Sequence, residues 1–509
     1  MRLLSAAEQR ELDRLAADAG LPTRVLMENA GGAVAREVLA LHARRVAVCC
    51  GPGNNGGDGF VAARLLREEL GDFVCVVPTA RDKLKGDALA AAQAWVGPVA
   101  SKLPDADVLI DAVFGSGLSR NPAGAEAAAI AAMNEARARG ARVVAVDVPS
   151  GIDSDTGAIY PVHLARADVT VTLHLPKRGL WLYPGASSAG RVVVAPIGIP
   201  RSLEERLESR ACELIDEEWA RSLFTPREPT AHKNDFGHVL AVAGSPGKAG
   251  AAALLVEAAL RAGAGLVTLA ARAEVLQVAL PGVPEAMGVP LPGAGPLGPA
   301  DVAALREAVK GKTVVAIGPG IPRGPETGQL VAELIASLEP GCAVVIDADA
   351  LNALSEHRER IAEWLRRAPV QPVLTPHPGE FARLTGEEVE RIESDRIGAA
   401  ARAAQRFGAC IVLKGARTVV ADPEGTTGVC AHGNPGMATA GAGDVLTGIA
   451  AAVLGRRSGA GGTGERARLA VALHALAGDI AARRTGQAAL VAHDIARTGL
   501  PRLFRRWKR

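Results

Sequence analysis

Short Val-rich runs recur along this chain, and most of them end in glycine, aspartate or proline. The first half contains "RRVAVCCG", "FVCVVPT", "DVLIDAVFG", "RVVAVDVPSG" and "DVTVTLHLP". Helix-like stretches over 59–70, 87–95 and 125–139 lie between them. Runs that are apolar throughout, with no polar alternation, belong to strands buried on both faces. The pattern therefore predicts a parallel sheet with helices on each side. Ligands of such sheets bind beyond the carboxyl ends of the strands, so chemistry is expected at those glycine and aspartate positions. The rhythm pauses over 200–227, a charged stretch with prolines at both ends, which reads as a linker or bridging helix between two domains. It restarts at "GHVLAVAGS" and continues through "GLVTLAA", "KTVVAIGPG", "CAVVIDADA", "PVLTPHPGEF" and "CIVLKGARTVVADPEG". "GRRSGAGGTGERA" reads as a surface loop.

A length of 509 residues also exceeds one ordinary domain. With 48% apolar but only 3% aromatic residues, the cores must be built from Ala, Val, Leu and Ile. A net charge of +2 gives no electrostatic reason for a nucleic-acid partner, and the terminal "RRWKR" reads as a solvated end. Seven cysteines without metal-type spacing read as reduced thiols, which suits a cytoplasmic protein; Cys49 and Cys50 read as packing residues. Ser5 and Glu8 form a capping-box pattern opening an amphipathic helix, not a signal peptide. No run is long and apolar enough to predict a membrane span.

"GPGNNGGDG" satisfies the dinucleotide fingerprint at Gly51, Gly53 and Gly56. The match is incomplete, because the next strand ends in Pro78-Thr79, where an acid should hold a ribose. Asp58 is placed to cap the following helix, in competition with a phosphate. Two later strand ends carry acids, Asp111 in "DAVFGSGLSRN" and Asp147 in "DVPSGIDSDTG". Asn55, Asp111 and Ser150 are hard oxygen donors with a single carboxylate, a set suited to a weakly held monovalent or divalent cation and not to zinc. Asp147 is the candidate base for a proton transfer; Lys83 reads better as a surface lysine.

These motifs in this order resemble the YjeF N-terminal domain, the NAD(P)H-hydrate epimerase family, over residues 1–213. The resemblance implies a Rossmann-like α/β/α fold and an exchange between the R and S forms of a hydrated nicotinamide ring. It also implies a substrate site of Asn54, Asn55, Gly56, Gly57, Asp58, Gly115, Ser116, Gly117, Leu118, Ser119, Arg120, Asn121 and Asp147. Potassium would be held by Asn55, Asp111 and Ser150.

In the second half, "NPGMATAGAGDVLTGIAA" sets Gly436, Gly441 and Gly443 ahead of Asp444 and an apolar helix. Amides at a helix N-terminus stabilise developing phosphate charge, and an aspartate there can take a proton from a substrate hydroxyl. The chain has no GxxxxGK[ST] and so no Walker-type site. His377 is pinned between two prolines, and Asp347, Asp349 and Asn352 cluster near one strand end, suited to Mg2+ or a hydroxyl. A nucleotide can lie across the strand end at Lys414-Gly415.

"HKNDFGHVLAVAGS", "GPG", "TPHPGEF", "KGART" and "AGAGD" resemble the YjeF C-terminal domain, the ribokinase-like, ADP-dependent NAD(P)H-hydrate dehydratases, over residues 222–509. Asn234 departs from the family's usual glycine. The resemblance implies that Ala251, Gly320, His377 and Asp444 contact hydrated substrate. Lys414, Gly415, Ala416, Arg417, Thr418 and Gly443 would hold ADP, with Mg2+. The implied whole is a bifunctional repair enzyme, presumed from its apolar N-terminal helices to be a homo-oligomer, acting on NADHX and NADPHX. The alternative is a ribokinase-superfamily vitamin kinase with a regulatory N-terminal domain.

Overall fold

The structure, a computed structural model, describes residues 1–160, 162–207, 211–457 and 461–508. It divides into two compact units, Met1–Cys212 and Glu213–Arg509. In the first, six strands form one parallel sheet: β1 (Val46–Cys50), β2 (Val74–Pro78), β3 (Val108–Ala112), β4 (Arg142–Val146), β5 (Val169–Leu173) and β6 (Arg191–Ala195). Their order is β2-β1-β3-β4-β5-β6. The chain leaves β1 for the edge strand β2, then returns as β3 on the other side of β1. Connections diverging from neighbouring strands open a crevice at their carboxyl ends.

Successive residues of a strand face opposite sides. Val46, Val48 and Cys50 enter the core beneath the helices Thr23–Ala40 and Asn54–Leu70, whereas Ala47 and Cys49 enter the core beneath Gly124–Ala138. Both cysteines are thus packing residues, and none of the seven cysteines is in a disulfide. A Cβ on Gly51 would collide with the Val113 carbonyl, so only glycine lets the loops after β1 and β3 meet.

The second unit is built on β7 (Cys212–Ile215), β8 (His238–Val242), β9 (Leu266–Ala271), β10 (Met287–Pro290), β11 (Val314–Ile317), β12 (Ala343–Ile346), β13 (Pro372–Leu374), β14 (Cys410–Leu413), β15 (Val419–Ala421) and β16 (Thr427–Cys430). The order is β7-β16-β15-β14-β13-β12-β11-β8-β9-β10. Strands β8 to β14 run parallel, and β14-β15-β16 is an antiparallel meander. The chain reverses at β8, running out to β9 and β10 before returning as β11, which places a second crevice beyond the ends of β8 and β11. Helices Ala249–Arg261 and Ala442–Gly455 cross closely; a Cβ on Gly448 would collide with the Leu255 carbonyl. Close helix packing through Gly and Ala is how a core poor in aromatics reaches native density.

The stretch predicted to be a linker holds β7 and the helix Glu217–Leu223, capped by Asp216 through the Trp219 N–H (2.8 Å). The basic tail is not a solvated end: it closes the helix Leu500–Trp507, Trp507 is buried, and its Nε1 donates to Glu217 Oε1 at 2.9 Å. Apolar side chains of Phe224, Phe504 and Trp507 stack there, and burying them outweighs the flanking charges. The loop predicted over 455–467 falls partly on 458–460, outside the described residues; from Thr463 the chain is already helix. Among the described residues, no helix is long and apolar enough to cross a membrane.

Candidate active sites

The first crevice is a cavity of about 520 Å3 lined by Asn54, Asn55, Asp58, Gly115, Ser116, Gly117, Leu118 and Asp147, among others. Asp147 follows β4 with φ of 64°, in the left-handed region that asparagine and aspartate tolerate best. This turn aims its carboxylate across the sheet end. Oδ1 lies 2.6 Å from Lys177 Nζ and accepts from the Leu173 N–H at 3.2 Å, while Oδ2 accepts from the Ser116 N–H at 3.3 Å.

Lys177 is fully buried, and its ammonium also donates to the Leu173 and Leu175 carbonyls at 2.9 and 3.1 Å. Sequence reasoning passed over Lys177. Its only signal was a lysine just past a buried strand, in "LHLPKRG".

Asp58 lies inside the helix Asn54–Leu70 and does not cap it. Gly53 is the cap residue, and no side chain caps the end. One turn into the helix, the Asp58 side chain points away from the free amides and into the cavity wall. Burial pushes its carboxyl well above its ordinary range; Asp147 and Asp13 push it the same way, against Lys177. The helix N-terminus is therefore left free of a side chain.

The resemblance-derived set is only partly brought together. Gly56 and Gly57 pack inside, Gly57 against Met27. Ser119, Arg120 and Asn121 are exposed and do not line the cavity; Arg120 pairs with Glu126 at 2.8 Å. Lys83 is exposed and lies apart from the cavity lining.

Asp111 is fully buried on β3. Its Oδ1 accepts from Ser150 Oγ at 2.6 Å and its Oδ2 from the Ser150 N–H at 2.8 Å. Burial raises its pKa and the Ser150 bonds pull it back. Among the described residues no cationic side chain pairs with it. Asn55 Oδ1 lies 2.9 Å from where a Cβ on Gly115 would stand, and Asn55 Nδ2 is buried without a partner. A buried, uncompensated carboxylate beside a hydroxyl fits a cation that prefers oxygen.

The second crevice gathers Asp347, Lys414, Glu380 and Asp444 around the start of the helix Ala442–Gly455. Asp347 occupies the cap position of the helix Ala348–Ser355 without capping it. Its oxygens instead take Lys414 Nζ at 2.7 Å and Thr447 Oγ1 at 2.6 Å. Lys414 Nζ lies 3.4 Å from where a Cβ on Gly443 would stand, so the ammonium sits against the helix N-terminus. Burial opposes its charge, but Asp347 and Glu380 outweigh burial and hold its pKa above the ordinary range.

Asp444 does not cap its helix, whose cap residue is Gly441. Burial, then the charge of Asp347, lifts its carboxyl from 3.8 to about 7, against the pull of Lys414. A carboxylate with that affinity for protons is matched to general-base work at neutral pH.

His377 caps the helix Pro378–Thr385: its Nδ1 accepts from the Gly379 and Glu380 N–H groups at 3.0 and 3.3 Å. A ring nitrogen that accepts carries no proton, so the half-exposed His377 carries its ring hydrogen on Nε2, 3.5 Å from Glu380 Oε1. Ala251 and Gly320 face each other, 3.2 Å apart measured from a Cβ on Gly320. Arg396, also missed from sequence, is buried and donates to the Leu413 and Lys414 carbonyls at 3.1 Å each, fixing the loop Gly415–Thr418. Thr418 Oγ1 donates to the Gly415 carbonyl at 3.1 Å, and Arg417 has φ of 60°. Asp347, Asp349 and Asn352 do not converge: Asp349 pairs with Lys248 at 3.0 Å and Asn352 accepts from Arg383 at 2.9 Å.

Two family models match the chain: the YjeF-related protein N-terminus over residues 23–179, and NAD(P)H-hydrate dehydratase over 239–500. The bifunctional NAD(P)H-hydrate repair enzyme Nnr of Moorella thermoacetica is 41% identical, over 97% of this chain and 95% of its own. The chain belongs to the bifunctional NAD(P)H-hydrate repair enzymes. The Escherichia coli repair enzyme of the same name is 36% identical over 97% of this chain and 92% of its own. Among solved structures, a ribokinase-like superfamily protein of Enterococcus faecalis covers 58% of this chain and 96% of its own, with 26% identity and a TM-score of 0.50. The mixed α/β architecture of the second unit is that of this neighbour. Within the family frame, the helix Ala6–Asp18 lies ahead of the matched N-terminal segment, although it borders the cavity.

Proposed function

We propose that the first unit interconverts the R and S forms of NAD(P)H hydrate, and that the second dehydrates the S form with ADP, releasing AMP and phosphate. The hydrate carries its hydroxyl on a carbon bonded to the ring nitrogen. Taking the hydroxyl proton lets the C–N bond open to an aldehyde while the ring nitrogen gains a proton. Reclosure on the other face of the carbonyl, with the proton returned to oxygen, inverts the carbon. Asp147 is the base. Lys177 and the backbone donors hold its carboxylate in place between turns of a rigid sheet end. Asn55, Asp111 and Ser150 would hold K+ through their side-chain oxygens, and the ion would supply fixed positive charge to the site.

Hydroxide is a poor leaving group, and a phosphorylated hydroxyl is a good one. In the second unit Asp444 would take the hydroxyl proton as the terminal phosphoryl group of ADP moves onto the oxygen. Lys414 and the amides starting at Gly443 would stabilise the transferring charge. Mg2+ would come with the nucleotide phosphates, as it commonly does when a site offers no dedicated oxygen cage. The phosphate then departs and the neighbouring ring carbon gives up a proton, to the leaving phosphate or to water, as the ring double bond forms. His377 Nε2–H, Ala251 and Gly320 line the same strand ends and suit substrate contact.

The observation that carries the reading is the Asp444 carboxyl, poised near 7 beside the Lys414 ammonium at a helix N-terminus. The vitamin-kinase alternative gives the first cavity no task. The direct experiment supplies S hydrate with ADP and follows the return of dihydronicotinamide absorbance; no nucleotide-dependent return would refute the proposal.

A further inference from the structure

The helix Ala6–Asp18 contributes Gln9 and Asp13 to the wall of the first cavity. It is fastened there. The Ser5–Glu8 capping box closes its start, and Glu8 Oε2 pairs with Arg178 Nη2 at 2.5 Å, one residue past Lys177. The Ala6 N–H donates to Asp155 Oδ1 at 2.6 Å.

Gln9 is only 8% exposed. Its Nε2 donates to Asp13 Oδ1 at 2.8 Å. A carboxylate accepts and an amide nitrogen donates, so this bond sets which way the Gln9 amide faces. The amide oxygen is left over: it is buried and has no hydrogen-bond partner. Buried acceptors are nearly always paired in native proteins, and this one belongs to a side chain that lines a ligand-sized cavity, so a donor on the ligand can be the partner it lacks.

We propose that Gln9 is a substrate-positioning residue of the first unit, its Oε1 accepting a hydrogen bond from the carboxamide N–H of the hydrated nicotinamide. The assignment rests on the epimerase reading above. The carboxamide is the ring's remaining donor once Asp147 engages the hydroxyl. A fixed acceptor on the N-terminal helix and a fixed base after β4 would hold the ring at two points, orienting the hydrate carbon.

The test replaces Gln9 by methionine, which keeps length and burial but removes the acceptor. Epimerisation of R hydrate and ADP-dependent dehydration of S hydrate are then measured on the same full chain. One lost neutral hydrogen bond predicts a KM for R hydrate raised about five- to tenfold, with kcat within about twofold. Dehydration of S hydrate should be unchanged, and the melting temperature should change little, because removing the unpaired buried oxygen offsets the lost Nε2–H bond to Asp13. An unchanged KM would overturn the proposal, meaning that Oε1 meets water and not substrate. So would a fall in melting temperature with a lower kcat at constant KM, the mark of a structural residue. Wild-type chain that fails to epimerise R hydrate would refute the epimerase reading itself, a result visible before any variant is compared.

Discussion

Replacing Asp444 by asparagine should remove dehydration and, in the same molecule, raise stability above neutral pH. The carboxyl sits at about 7 in the folded chain against an ordinary 3.8, chiefly because burial disfavours its charge. A proton held more tightly folded than unfolded is a stabilising influence at low pH that is lost as pH rises. The loss begins near 4 and is complete above 7. Each pKa unit corresponds to about 1.4 kcal/mol, so the shift amounts to about 4 kcal/mol. Residual solvent access reduces this to on the order of 2 kcal/mol. Asparagine fills the same space without the charge. Melting of the second unit should therefore rise by about 5 °C at pH 8, and by almost nothing at pH 4. With the base gone, the ADP-dependent rate should fall by about 100- to 10,000-fold. Wild-type kcat/KM should rise with pH through a midpoint near 7, and the variant should lose that limb. Thermal scans at the two pH values and a pH–rate profile check both halves. A variant that keeps its rate, or is no more stable at pH 8 than at pH 4 relative to wild type, would refute the reasoning.

Three further outcomes follow from the same geometry. Lys177→Met strips a fully buried ammonium from Asp147, so R-hydrate epimerisation should vanish and the first unit should lose about 3–5 kcal/mol at neutral pH; S-hydrate dehydration should persist in the same preparation below the melting transition. Lys414→Met should raise the KM for ADP by about 10- to 100-fold, and should move the Asp444 midpoint to higher pH because Lys414 pulls that pKa down. Gly51→Ala forces a methyl group into the Val113 carbonyl, and denaturant titration should show the first unit destabilised by about 1–3 kcal/mol.

The parallel sheets were legible because strands buried on both faces leave continuous apolar runs, and their ends marked where the crevices lie. Asp147 stood out as an acid just past a strand, Asp444 as an acid in a glycine-rich helix start, and His377 as a histidine held between two prolines. Lys177 and Arg396 were missed because nothing local marks them. Lys177 acquires its meaning from Asp147, on another strand, and Arg396 from two carbonyls past β14. The motif is not a contiguous wall of the cavity, since the loop turns at Leu118 and Ser119, Arg120 and Asn121 lie exposed beside it. Asp347, Asp349 and Asn352 look like a ligand cluster in one dimension. A helical turn fans them toward different cations: Asp347 to Lys414, Asp349 to Lys248 and Arg323, Asn352 to Arg383. Asp58 was expected at a helix end, but the helix begins at Asn54 and carries it past the cap.

The central claim is that one chain repairs both epimers, each at its own crevice. The most direct measurement supplies separated R and S hydrates of NADH with ADP to wild-type chain and to Asp147→Asn, and follows recovery of dihydronicotinamide absorbance. Wild type should recover both forms. The variant should recover S at the wild-type rate and R only as fast as R converts spontaneously. Equal recovery of R by both proteins would contradict the account.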